Sequence, residues 1–519
     1  MKSVQQQPSI YAYIDSKLSD QQEVHDYQEL FLFGEKSEDI QEDYQQLSQL
    51  SLVHLFALSG MHIHILFAIM QSLFSLVVEK KISKWISYVV IGIYVFSIPM
   101  NISLYRAFFV LVLYELFKKW LNKLDVLSIL VIVSLFYNPY LIYSVSFIFS
   151  YFIYFIVLIT YQLKYSSLLI YLSSIPIILS LNYQLPVFSF LLATIMLPFI
   201  EAFYCFCVFS IIFPIFEIAI EMCVYILKGM LLLMNDINTF LVFSKPTLSF
   251  IIMYYIIFFV IIYQLSIHKK IIKYFLILCS LIISFSFYSQ YKIYGEITMI
   301  DVGQGDCTLI RLPFNQGNIL IDTGGNANYD LATKVIIPYL KSIGIQKLDY
   351  VYISHSDFDH CGALDSLKEH FPIGGVIDEY EKYRKIGNIE ITMLNSDTHY
   401  SDTNDQSLVM KADMNGISIL FTGDASTIVE KELKDIYHHL DIDILKVSHH
   451  GSHTGSSVEL FEMIQPSIGM IGVKKNNLYH HPSDEVIERL KRKNITILRT
   501  DEDGMFHIRF YDKSRYILR

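Results

Sequence analysis

A polytopic α-helical membrane domain followed by a soluble α/β domain is the fold class that this sequence predicts. Three observations carry the prediction. The 519-residue chain is 53% hydrophobic, with a mean hydropathy of +0.41, too apolar for an ordinary soluble protein. The apolarity is concentrated before about residue 290, in long runs with few charges. After about residue 295 the composition is that of a globular domain, long enough to bury a core of its own. The expected divisions are a polar arm over 1–50, a membrane domain over 51–290 and a soluble domain over 291–519.

The arm contains Gln5, Gln6 and Gln7 and acids such as Glu38, Asp39, Glu42 and Asp43, a composition that predicts partial helix and partial disorder. It lacks the apolar stretch of a cleavable signal peptide. From Val53 onward, apolar runs separated by lysine clusters predict eight to ten crossings, each needing about 20 residues. Lys80, Lys81 and Lys84, then Lys118, Lys119 and Lys123, then Lys269, Lys270 and Lys273 mark cytoplasmic loops by the positive-inside rule. The last span, about 271–289, then leads outward and puts the soluble domain on the outer face. The six cysteines form no paired framework. The formal net charge of −10 argues against non-specific nucleic-acid binding, though local patches matter more than the sum.

Within the first apolar run stands His54-Leu55-Phe56-Ala57-Leu58-Ser59-Gly60-Met61-His62-Ile63-His64. In one continuous helix His54 and His62 would share a face, with His64 opposite His62. Gly60 would permit a break or a close helix approach. Arg106 follows Pro99 and Asn101 in another apolar run, and an ionisable group there lines a cavity or finds a partner.

The soluble domain is organised around Ile353-Ser354-His355-Ser356-Asp357-Phe358-Asp359-His360, which follows the apolar run 348–353. Four metal-capable side chains within six residues fit no helix or strand period. They read as a loop at a strand end, with donors for one or two divalent cations. Two further expected strands end in the same way: 417–421 in Thr422-Gly423-Asp424, and 443–447 in Ser448-His449-His450-Gly451. Tyr479-His480-His481-Pro482 lies downstream, with Lys474 and Lys475 just before it as candidate phosphate contacts.

The first of these strings resembles the His-x-[His/Asp]-x-Asp-His signature of the metallo-β-lactamase superfamily. The resemblance implies an αβ/βα sandwich in which His355 and Asp357 bind one metal and Asp359 and His360 a second. It implies that Asp424 bridges the ions, that at least one of His449 and His450 is a ligand, and that His481 is a final ligand or a general acid. Asp322 would orient the metal loop without binding metal. Asp357 stands where many members have histidine. That exchanges nitrogen for a hard oxygen and implies two divalent ions with manganese favoured over zinc.

The membrane string resembles the His-Leu-x-Ala-x-Ser-Gly-x-His signature of the competence domain in ComEC-type DNA-uptake channels. Asp301-Val302-Gly303-Gln304-Gly305-Asp306 matches the opening of their metal domains. The resemblance implies a multi-pass cell-membrane channel for single-stranded DNA in transformation, with His54, Ser59, Gly60, His62 and Arg106 in the channel. The metal domain would hydrolyse the non-imported strand, with Asp359, His360, Asp424 and His481 as its catalytic group. Implied partners are the lipid bilayer and the receptor and motor proteins of the competence machinery. Members carry upstream spans around an OB-fold domain; this sequence begins after that region, which leaves a short variant, an incomplete gene reading or one half of a split pair, and in the last case a separate OB-fold chain is a further expected partner. The alternatives are a membrane-tethered hydrolase of another phosphoester, and a DNA channel whose metal domain is catalytically dead.

Overall fold

The structure, a computed structural model, describes residues 9–99, 101–237, 240–395, 400–512 and 515–518. The Gln5–Gln7 run of the expected arm lies outside them. The chain divides into two compact units, one of residues 1–241 and 246–282 and the other of 242–245 and 283–519. The division falls inside the helix Ile272–Gln290, and the segment 242–245 belongs to the second unit, where Ser244 pairs with Ile343.

The first unit is helical. Among the described residues, four helical stretches, Val53–Phe74 (interrupted between Phe56 and Gly60), Ser189–Ser210, Leu248–Ser266 and Ile272–Gln290, are long and apolar enough to cross a membrane by length and composition. That is fewer than the eight to ten crossings expected. Several remaining apolar helices fall short of a full span: Lys80–Ser97 carries lysines in its first turns, and Val145–Thr160 has 16 residues.

The expected arm is helical over much of its described part. Ser9–Asp15, Gln22–Leu32 and Gln41–Gln49 are helices. Tyr27, Leu30 and Phe31 of the second are buried in the core of the unit, with Phe31 against Phe203 at 4.8 Å between ring centroids. Apolar residues at helical spacing anchor the segment, and Asp26 and Gln28 are buried along with them.

The second unit is a two-sheet sandwich. Its strands are β1 (Gly295–Met299), β2 (Thr308–Arg311), β3 (Asn318–Ile321), β4 (Tyr350–Tyr352), β5 (Val376–Ile377), β6 (Tyr383–Ile386), β7 (Ile389–Met393), β8 (Met410–Met414), β9 (Ile417–Phe421), β10 (Ile444–Lys446), β11 (Ile468–Ile471), β12 (Thr496–Arg499), β13 (Phe506–Asp512) and β14 (Arg515–Leu518). One sheet runs β14-β13-β1-β2-β3-β4-β5, the other β12-β11-β10-β9-β8-β7-β6. Side chains alternate across each strand. Ile310, Ile319, Ile419 and Ile444 fill the space between the sheets. Their neighbours Leu309 and Leu320 face a helical layer that includes Leu340 and Leu367, and Leu420 and Leu445 face one that includes Val429, Leu460 and Leu490. The result is the αβ/βα sandwich. β9 to β12 are parallel, so their C-terminal ends share one edge, and β4 delivers its own C-terminal loop to the same place.

Candidate metal centre

At that edge Asp306, His360, Asp424 and His450 are all buried and bring ligand atoms within 4.8 Å of one another. Each side chain is aimed by a neighbour. His360 donates through Nδ1 to Asp322 Oδ2 at 2.9 Å, which turns Nε2 toward Asp424 Oδ1, 3.2 Å away. Asp322 also accepts from the Ser354 N–H at 2.7 Å and from its hydroxyl at 2.9 Å, so one carboxylate holds both ends of the metal loop. His450 donates through Nδ1 to the Gly472 carbonyl at 2.7 Å and presents Nε2 to Asp359 at 3.2 Å and to Asp424 at 3.5 Å. A side chain at position 472 would press on Asp306 Oδ1, 2.6 Å from a Cβ there, so only glycine lets the carbonyl and the carboxylate share that corner.

The remaining expected ligands surround this group. The His355 ring is 4.2 Å from that of His360, and its Nε2 lies 3.7 Å from Asp357, which is half-exposed. His355 Nδ1 lies 3.3 Å from the Ser407 hydroxyl, which also accepts from the Asp424 N–H at 2.9 Å. Both His449 and His450 reach Asp424, but His450 is buried within the cluster while His449 stands 3.8 Å away at the rim, beside His481 at 5.6 Å between rings. Lys474 and Lys475 are exposed near that rim, followed by exposed Leu478 and Tyr479.

Two residues of the centre were not expected from the sequence. Asp306 stands there only as the last residue of a matching string, with no ligand role, yet it is buried inside the ligand group. Lys446 ends β10 with its ammonium buried, in contact with Asp306, 3.0 Å from the Gly423 carbonyl and 3.6 Å from Asp424. The available signal was a lysine inside a strand whose neighbours are all apolar.

The charges hold one another. Burial alone would raise Asp424, but His450 and His360 outweigh it and keep the carboxyl well below its usual range. Burial alone would lower His450, but Asp424 and Asp306 push it up to about 10. His360 is raised in the same way by Asp424 and Asp322. His481 is lowered to about 4 by burial and then by His449 and His450, so near neutral pH it is suited to accept a hydrogen bond rather than to donate a proton. His355 Nε2, His360 Nε2 and Asp424 Oδ1 are buried without a well-formed hydrogen bond. Buried nitrogen and carboxylate donors left open in this way fit a divalent cation.

A pH prediction follows from the raised histidines. Their protonation stabilises the chelator-treated domain fully below about pH 6.5, and that contribution fades as pH climbs toward about 10. A cation needs the deprotonated nitrogens. Manganese titrated into the domain at pH 7 is therefore expected to release about two protons, and to bind more tightly as pH rises. Calorimetry in two buffers of different ionisation enthalpy measures the release. Cation binding with no proton release would contradict the placement of His360 and His450.

The fold and this centre define a metallo-β-lactamase-type domain, and residues 300–398 match the model described as "Metallo-beta-lactamase superfamily". Residues 31–268 match the model described as "Competence protein". The chain is thus of the ComEC type, a competence domain followed by a metallo-β-lactamase domain. ComE operon protein 3 of Bacillus subtilis (strain 168) is 26% identical, over 90% of this chain and 69% of its own length. Competence protein ComA of Neisseria gonorrhoeae is 30% identical over 40% of this chain and 31% of its own length. Recombination protein 2 of Haemophilus influenzae is 29% identical over 42% and 29%. The chain spans less than a third of the last two. The competence domain, with the four apolar helices of the chain, marks a membrane protein, and the superfamily implies divalent-metal binding, for which a buried Asp/His cluster is present.

The structure separates the residues singled out in the membrane string. The run is not one continuous helix. Val53–Phe56 ends, and Gly60–Phe74 starts anew after Ser59, whose N–H donates to His62 Nδ1 at 3.0 Å. His54, Ser59, Gly60 and Arg106 line a cavity of about 740 Å³ in the first unit. His62 does not. It is buried against Tyr204, with ring centroids 4.5 Å apart, and so no longer shares a face with His54.

Proposed function

We propose that the chain passes single-stranded DNA across the cytoplasmic membrane during transformation, and that its metal domain hydrolyses phosphodiester bonds of the strand left outside. The observation that carries this reading is the buried Asp306, His360, Asp424, His450 group in a metallo-β-lactamase domain, joined in one chain to a competence domain. A cation pair held there supplies Lewis acidity toward phosphate and a nucleophile competent at neutral pH. His355, Asp357, Asp359, His360, Asp424 and His450 would hold the ions. The chain's own part is orientation: Asp322 and the Gly472 carbonyl fix two imidazoles, and Ser407 fixes Asp424. Lys474 and Lys475 at the rim are suited to contact DNA phosphates. Asp306, buried with His360, Asp424 and His450, adds a further hard oxygen to those of Asp357, Asp359 and Asp424, which favours manganese over zinc.

The test is hydrolysis of single- and double-stranded DNA by the purified full chain, with manganese and with zinc. Manganese-dependent cleavage is expected. Cleavage that is faster with zinc would overturn the ligand-hardness argument, and cleavage of lipid phosphoesters instead would move the substrate to the tethered-hydrolase class. One observation favours a second reading, a domain that binds DNA without cutting it: the Lys446 ammonium lies among the carboxylates that a cation needs. Elemental analysis of the purified chain decides, since a domain of this second kind retains no metal.

The lysine clusters favour an outer face for the metal domain. Reporter fusions at about residue 82 and after Arg519 are expected to report opposite sides, and a shared side would remove the extracellular substrate.

A further inference from the structure

Arg106 is only 8% exposed, and it stands in the helix Ile102–Phe117 of the competence domain. Its Nε donates to the Ser150 hydroxyl at 2.8 Å, and its guanidinium lies over the Tyr154 ring at 4.5 Å. Neither partner carries charge. Among the described residues Arg106 forms no ion pair, and no carboxylate lines the cavity of about 740 Å³ that it borders. A buried cation without an anion is costly, and in proteins it is normally paired. The cavity volume is within the range of small-ligand pockets, roughly 300–1,000 Å³.

The break before Gly60 supplies a second positive element. The 15-residue helix Gly60–Phe74 begins at the cavity wall, and its first-turn N–H groups have no partner within the helix. Arg106 Nη2 lies 3.0 Å from where a Cβ on Gly60 would stand. The guanidinium therefore sits over the opening turn of that helix, and glycine is what lets it approach. Backbone donors and a guanidinium converging on one wall of a cavity make an anion site. Phe149, which also lines the cavity, offers a ring on which a base can stack.

We propose that Arg106 and the first turn of the Gly60 helix form a binding station for one phosphodiester of a DNA strand. The proposal rests on the DNA-uptake reading and gives the cavity its ligand. The guanidinium takes the non-bridging oxygens, and Ser59 and Gly60 bring the helix start to the same group.

The full chain in phosphatidylcholine nanodiscs, titrated with oligodeoxythymidylate at several salt concentrations, tests it. Arg106→Met is expected to weaken binding about tenfold, the loss of one charged hydrogen-bonded contact. It should flatten the dependence of log affinity on log salt by about 0.7, the value for one single-strand phosphate. Without DNA the same variant should melt at a higher temperature, because an unpaired buried cation is gone. Arg106→Lys should lose affinity and keep the slope. Gly60→Ala, which crowds the guanidinium, should weaken binding even where Arg106→Met fails to fold. Unchanged affinity and slope in the Arg106 and Gly60 variants overturn the station and leave DNA uptake standing. A melting shift produced by phosphatidylglycerol and not by oligonucleotide, and lost in Arg106→Met, overturns it in favour of a lipid headgroup. Failure of the parent chain to bind oligonucleotide overturns the uptake reading, and the station with it.

Discussion

Asp424→Asn is expected to reduce DNA hydrolysis by at least about 100-fold, the upper end of what a residue that merely orients a ligand costs. Asp424 faces His360 at 3.2 Å, His450 at 3.5 Å, Lys446 at 3.6 Å and His449 at 3.8 Å, so it is the one carboxylate that meets all four cationic or metal-binding groups. Asparagine keeps the shape and the Asp424 N–H bond to Ser407 but removes the anionic oxygen pair. The fold should persist while bound metal is lost, which elemental analysis and a rate measurement read separately. Asp359→Ala should cost less metal, because Asp359 is more exposed and leans on His450 alone. Normal metal content and rate in Asp424→Asn would remove Asp424 from the centre.

Lys446→Met is expected to destabilise the chelator-treated protein by about 3–5 kcal/mol, the usual result of removing one partner from a buried ion pair. Asp306 is fully desolvated, and Lys446 is the first cation that holds its carboxyl below the usual range against burial. Saturating manganese should shrink the loss, since a second cation then serves the same carboxylates. Thermal melts with chelator and with manganese make the comparison. A larger loss with manganese than with chelator would mean that Lys446 works alongside the metal rather than in its place.

The sandwich was legible because its strands end in chemistry. Runs 348–353, 417–421 and 443–447 each close on a metal-capable residue, and that repetition has no structural explanation other than a shared edge. Asp306 and Lys446 were not legible. A carboxylate after Gly-Gln-Gly looks like a turn, and one lysine in an apolar strand looks like an edge residue, until pairing with β9 and β11 buries it. His54 and His62 misled for the opposite reason. Helical spacing places them on one face, but the His62 ring accepts the Ser59 N–H, and the helix restarts between them. For the segment 9–50, composition counts the many polar residues and misses the buried apolar set that fastens it, Val24, Tyr27, Leu30 and Phe31 among them. Periodicity along one element sees neither kind of event, since both depend on what the rest of the chain brings near.

The order of strands in the first sheet also sets a timetable. β1 opens the domain, yet it lies between β2 and β13, and Gly295 pairs with Phe510 near the end of the chain. The Phe510 ring covers Gly295, where any side chain would collide with it. During synthesis one edge of β1 therefore stays bare until almost the whole domain has left the ribosome. Pairing at such sequence separation is slow to form, and an uncovered strand edge invites association with other chains in the interval. A ribosome stalled before Phe506 would hold a domain with every metal-binding residue already made and its first sheet still open.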